Sequence, residues 1–86
     1  MAELARFFGI IISMFGSDHN PPHIHVRYGD FEAIISIQKE IVKGEMPARI
    51  LKLVFTWINL HKNELLINWE NSQKGLELNK IEPLNN

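Results

Sequence analysis

"HIHVRYGDFEAIISI", residues 23–37, decides the fold. Gly29-Asp30 is the two-residue signal of a β-hairpin, with glycine at the first central position, where a type II′ turn needs positive φ. Counting outward from so tight a turn sets the register. Tyr28 falls opposite Phe31, Arg27 opposite Glu32, Val26 opposite Ala33, His25 opposite Ile34, Ile24 opposite Ile35 and His23 opposite Ser36. Side chains alternate along a strand, so Ile24, Val26, Tyr28, Phe31, Ala33 and Ile35 form a core face. The other face carries His23, His25, Arg27, Glu32 and Ser36, with Ile34 as its one apolar member. The opposed charges of Arg27 and Glu32 favour this register.

Upstream, "FFGIIISMF" (7–15) is continuous rather than alternating and reads as one strand covered on both faces. Gly16-Ser17 end it, and the loop 18–22 leads into the hairpin. Downstream, an extended piece around Ile41-Val42 leads to Gly44. Pro47 suits the first turn of a helix whose apolar residues Ile50, Leu51, Val54, Trp57 and Ile58 recur at helical spacing. A break is expected near His61-Lys62-Asn63, with Asn63 as N-cap of a second helix that buries Leu65, Leu66 and Trp69 and ends at Gly75. One long kinked helix is the alternative. The tail "LELNKIEPLNN" is expected to add a short edge strand before Pro83 and then to fray. The resulting expectation is a single α+β domain over 1–86: a small antiparallel sheet of three to four strands with two C-terminal helices packed on one face.

With 86 residues the chain has room for one modest core. Nine Lys and Arg against ten Asp and Glu leave a net charge of −1, a handicap for a nucleic-acid binder, although a local patch can serve. The absence of cysteine excludes a disulfide framework and any thiolate ligand or nucleophile, and fits a reducing compartment. The apolar run near Met1 is too short to span a bilayer and lacks the positive flank of a secretion signal. A cytoplasmic protein without a membrane role is the expectation.

Three of the four histidines fall within residues 19–25. Two apart on a strand, His23 and His25 share a face and can converge on one ion or one phosphate. His19 and Asp18, folded back by Pro21-Pro22, can add ligands of the kind zinc, nickel or manganese accepts. The bland alternative is that Asp18 and Asn20 cap a turn and the histidines lie on a solvated face. A metal-free chemistry is also open. A histidine beside Arg27 is a proton-transfer group with an anion stabiliser, and on RNA the cations Lys39, Lys43, Arg49 and Lys52 can guide the backbone. Against this, Arg27 has Glu32 as a partner. Trp57, His61 and Trp69 read as helix and core residues, with His61 a weaker candidate ligand-binding group; Glu64, Asn68 and Glu70 can face the histidine site.

The blocks "SDHNPPHIHVRYGDFEAIISI", "GEMPARILKLVFTWINLHKNELLINWE" and "KIEPL" resemble a family of small bacterial proteins, the domain of unknown function 4160. Its Asp-His-x-Pro-Pro-His-x-His-Val hallmark is matched by Asp18, His19, Pro21, Pro22, His23, His25 and Val26. The resemblance implies a cytoplasmic protein of unassigned activity, encoded beside another small protein in an arrangement like a toxin–antitoxin pair. It supplies no catalytic residue.

Three expectations follow. The first is a toxin–antitoxin-like component acting on or binding RNA or a phosphorylated ligand in a ribonuclease-like manner. There His23 and His25 move protons, Arg27 binds the anion, and Asp18, His19, Glu32 and His61 assist in binding. The second is a divalent-metal protein using His19, His23 and His25. The third is a non-catalytic interaction module that pairs with its neighbour or with a second copy.

Overall fold

The computed structural model describes residues 2–85. The strands are β1 (Ala2–Phe7), β2 (Ile10–Met14), β3 (His23–Tyr28), β4 (Phe31–Ser36) and β5 (Val42–Gly44). They form one sheet in the order β1-β2-β3-β4-β5, each pair antiparallel. The β3–β4 hairpin has all six expected pairs, from Tyr28 with Phe31 to His23 with Ser36. Its turn rests on Gly29 at φ 57°, a conformation that costs an L side chain about 1–2 kcal/mol.

The run 7–15 is not one strand. Phe8 and Gly9 both have positive φ, 50° and 78°, the pattern of a type I′ turn, and reverse the chain between β1 and β2. An apolar run therefore need not mean two covered faces: in β2, Ile10, Ile12 and Met14 enter the core, while Ile11 and Ser13 line the opposite side. Phe8 sits at the turn and is exposed. The β1–β2 register shifts between Glu3 and Ala5, and both Leu4 and Ala5 are buried. This extra hairpin brings the sheet to five strands.

Helices α1 (Ala48–Leu60) and α2 (Lys62–Gln73) cover one face of the sheet. Ile12, Ile24 and Ile35 from the strands pack in one core with Val54, Trp57 and Leu65 from the helices, all fully buried. At about 1.5–3 kcal/mol for each large apolar side chain buried, this contact orients the helices on the sheet. The helices are separate, and the joint is His61 (φ −122°, ψ 23°). Asn63 lies inside α2, so it is not the cap; the N-cap position is His61, without a side-chain cap bond. Gly75, at φ 72°, ends α2 as expected. Leu76 N–H reaches the Asn71 carbonyl at 2.9 Å and Gly75 N–H that of Ser72 at 3.3 Å, the paired bonds of a Schellman cap.

The tail forms no strand between residues 76 and 85. It is tied down instead by single bonds: Ile81 N–H to the Leu4 carbonyl at 2.9 Å, and Trp57 Nε1–H to the Glu82 carbonyl at 2.8 Å. Ile81 is buried and Leu84 packs against the core, although fraying was expected after Pro83; Asn86 lies outside the described residues. No helix among the described residues is long and apolar enough to cross a membrane.

Candidate metal centre

His23 and His25 occupy the first and third positions of β3, alternating with the buried core residues Ile24 and Val26. Their ring centroids are 5.4 Å apart. The loop before β3 brings Asp18 to them. Its Oδ2 lies 2.8 Å from His25 Nε2 and 3.2 Å from His23 Nε2. The three side chains are half-buried, at 21%, 15% and 30% exposure for Asp18, His23 and His25. Among the described residues they form a group whose ligand atoms all lie within 4.8 Å of one another.

The loop is held from both ends. Pro22 accepts the Ile37 N–H at 3.0 Å, tying its end to the chain beyond β4. Helix α2 reaches its other part: Trp69 Nε1–H donates to Asn20 Oδ1 at 3.0 Å, and Gln73 Nε2–H to the Asp18 carbonyl at 3.0 Å. The Asn20–Pro21 peptide is cis. Packing orients the rings as well. His23 lies against Trp69, with centroids 5.2 Å apart, and Phe15 meets the His25 ring edge-on at 4.4 Å.

Hydrogen-bond logic restricts what can occupy the centre. His23 Nδ1 faces the Pro21 carbonyl at 2.9 Å, so that nitrogen carries a proton. In a neutral ring the other nitrogen, Nε2, then presents a lone pair, yet it points at a carboxylate oxygen of Asp18. Two acceptors face each other, and either a second proton or a metal cation must lie between them. His25 is less constrained: its Nε2–H donates to Asp18, and that proton can be given up to a metal. Two imidazole nitrogens and one carboxylate oxygen are a donor set for a first-row divalent ion, with positions left over for water or substrate. Were His23 to ligate an ion through Nε2, the Pro21 carbonyl would be the outer partner that fixes its tautomer.

The remaining candidates lie elsewhere. His19 is exposed and outside this group; the carboxylate of Asp18 stands where a third imidazole was expected. Arg27 is on the same face, but its guanidinium is engaged by Glu32, and both are exposed. His61 donates from Nδ1 to Glu64 Oε1 at 2.7 Å and lies against Trp57, with centroids 5.4 Å apart. Asn68 is buried and bonded to the tail, and Glu70 is also outside the group. The cations do not form one track either. Arg49 sits over the Tyr28 ring at 5.5 Å, beside the core face, whereas Lys43 lines the opposite side. Phe15, Asn20, Trp69 and Gln73 support the centre without any local sequence signal, because two of the bonds join residues 49 and 55 apart.

A family model described as a domain of unknown function, DUF4160, matches residues 9–70. No curated protein matches the chain, and no solved structure does. The matched span includes the loop, both histidines of β3 and most of both helices. This chain belongs to the DUF4160 family, whose domain is one of unknown function.

Proposed function

We propose that the protein is a divalent-metal-binding protein whose ion is held by Asp18, His23 and His25. The observation that carries this reading is the convergence of Asp18, His23 and His25, whose ligand atoms lie within 4.8 Å of one another, with His23 Nδ1 turned to the Pro21 carbonyl and its Nε2 to the Asp18 carboxylate. A zinc, nickel or manganese ion takes the place of a second proton on His23 and suits the donors. A metal with three protein ligands keeps room for a substrate oxygen, so hydrolytic chemistry on a phosphorylated ligand is the activity this reading favours. The toxin–antitoxin-like role, with a small partner protein encoded nearby, is carried by the family resemblance and would use the same centre.

The test is titration of tag-free protein with Zn²⁺, Ni²⁺ and Mn²⁺ by calorimetry, beside elemental analysis of the purified protein. One equivalent should bind, and Asp18→Asn or His23→Ala should weaken it by at least about tenfold. Absence of binding, or equal affinity in folded His23→Ala/His25→Ala protein, defeats the reading. A metal-free reading draws on the 2.8 Å Asp18–His25 bond, which orients an imidazole for proton transfer. Under that reading activity survives exhaustive chelation; under ours it does not.

A further inference from the structure

The sheet register sets a row of side chains across all five strands: Glu3, Ser13, His25, Ile34 and Lys43. All five line one open groove of about 560 Å³ on the face opposite the helices. Small-molecule sites typically hold roughly 300–1,000 Å³. His25 belongs both to this groove and to the Asp18–His23–His25 group, so the groove passes beside the proposed ion, with Glu3 and Ser13 on one side of His25 and Ile34 and Lys43 on the other.

The contents of the groove point to a ligand. Ile34 is 37% exposed beside the polar centre, and Ile11 and Phe15 extend the apolar floor. The charges are also uneven. Arg6 is held by Glu3 and Arg27 by Glu32, which leaves Lys43 as the groove cation without a carboxylate partner among the described residues. Neighbouring strands are about 4.8 Å apart, so Lys43 stands about 10 Å from His25, with Ile34 between them.

We propose that this groove binds a small phosphate ester with a flat apolar body and a second anionic group. The phosphate lies at the ion by His25, the apolar body covers Ile34, and the far anion meets Lys43. The inference rests on the metal reading for its phosphate end. It favours a small molecule over RNA, because the groove offers Lys43 alone as an unpaired cation among the described residues and the chain carries a net charge of −1, too little to neutralise a run of phosphates.

Three probes separate the parts: inorganic phosphate, phenyl phosphate and 4-carboxyphenyl phosphate, each titrated into Ni²⁺-loaded protein. Phenyl phosphate should bind about tenfold tighter than phosphate through burial of the ring, and the carboxylate should add roughly threefold more. Lys43→Ala should remove the carboxylate gain alone. Ile34→Thr should reduce the ring gain by roughly threefold. Both variants should keep the wild-type affinity for Ni²⁺, since neither residue supplies a ligand atom. Equal affinity for all three probes, or gains that persist unchanged in both variants, overturns the groove proposal. So does an oligouridylate that binds more tightly than the aryl phosphates. Failure of the wild type to take up Ni²⁺ is a different result: it removes the metal centre itself.

Discussion

Asn68 and Asn79 exchange two hydrogen bonds: Asn68 Nδ2–H donates to the Asn79 carbonyl and Asn79 N–H donates to Asn68 Oδ1, both at 2.8 Å. One buried carboxamide thus treats the tail as a neighbouring strand would, with a donor and an acceptor side by side. This pair, with the Trp57–Glu82 bond, docks the segment that carries buried Ile81. Asn68→Ala removes both bonds and is expected to cost about 2–3 kcal/mol. In a chain of 86 residues that lowers the melting temperature by roughly 10–20 °C. Thermal unfolding checks the size, and faster amide exchange at Ile81 checks the cause; unchanged exchange there would reject the clamp.

Gly44 ends β5 at φ 112°, and a Cβ added there would meet the Glu32 carbonyl oxygen at 2.5 Å and Ala33 Cα at 2.9 Å. Both neighbours are backbone, so neither can turn aside. Gly44→Ala should therefore destabilise by about 2–4 kcal/mol. Gly29→Ala is the control: its φ is also positive, but nothing lies within 4 Å of the added atom. Its cost should be about 1–2 kcal/mol. Urea midpoints of the two variants decide, and equal shifts would show that the close approach is relieved by movement of the edge strand.

Trp69 joins the core to the proposed centre, since its ring lies against His23 and its indole N–H holds Asn20. Trp69→Phe keeps most of the packing and drops the hydrogen bond. Stability should fall by about 1–2 kcal/mol. Metal affinity should fall by about tenfold, as for other outer partners of a metal ligand. Calorimetric titration of the folded variant checks this; an unaltered affinity would mean that the loop needs no support from α2.

Arg6 donates to both carboxylate oxygens of Glu3, and this bond draws the Glu3 carboxyl below the ordinary glutamate range. A lowered folded value gives stability that is present above the unfolded value and lost as pH falls through the folded one. The pair is on the surface, so its effect on the acid limb of stability should be negligible. The shift itself is measurable: in Arg6→Ala protein the Glu3 carboxyl, followed by NMR, should titrate at a higher pH than in wild type. An identical titration in both proteins would dismiss the pairing.

Expression in a bacterial host bears on the wider role. If the centre drives a toxin-like activity, the wild type should arrest growth and folded His23→Ala/His25→Ala protein should not. Arrest that persists in the double variant would remove the histidines from it.

Most of the hairpin was legible because its determinants are local. A two-residue turn with glycine first, strict alternation and a facing Arg27–Glu32 pair leave one register, and that register is present. The Gly75 cap was legible for the same reason, and the joint between the helices was placed near His61, although its expected cap, Asn63, lies inside α2. The β1–β2 turn was not, since Phe8 in a left-handed conformation has no sequence mark of its own and the apolar run hides it.

By itself, the sequence determined that two imidazoles share a strand face opposite a core face, because side-chain alternation needs nothing beyond the chain's own geometry. Only the tertiary structure decided that Asp18, and not His19, closes on them. The loop's shape depends on Trp69 and Gln73 reaching it from α2, on the far side of the core in sequence. It likewise decided that Lys43 stands in line with His25, since that row exists only when all five strands are paired. Local periodicity orients a side chain relative to its own strand; which groups converge is set by packing between distant segments.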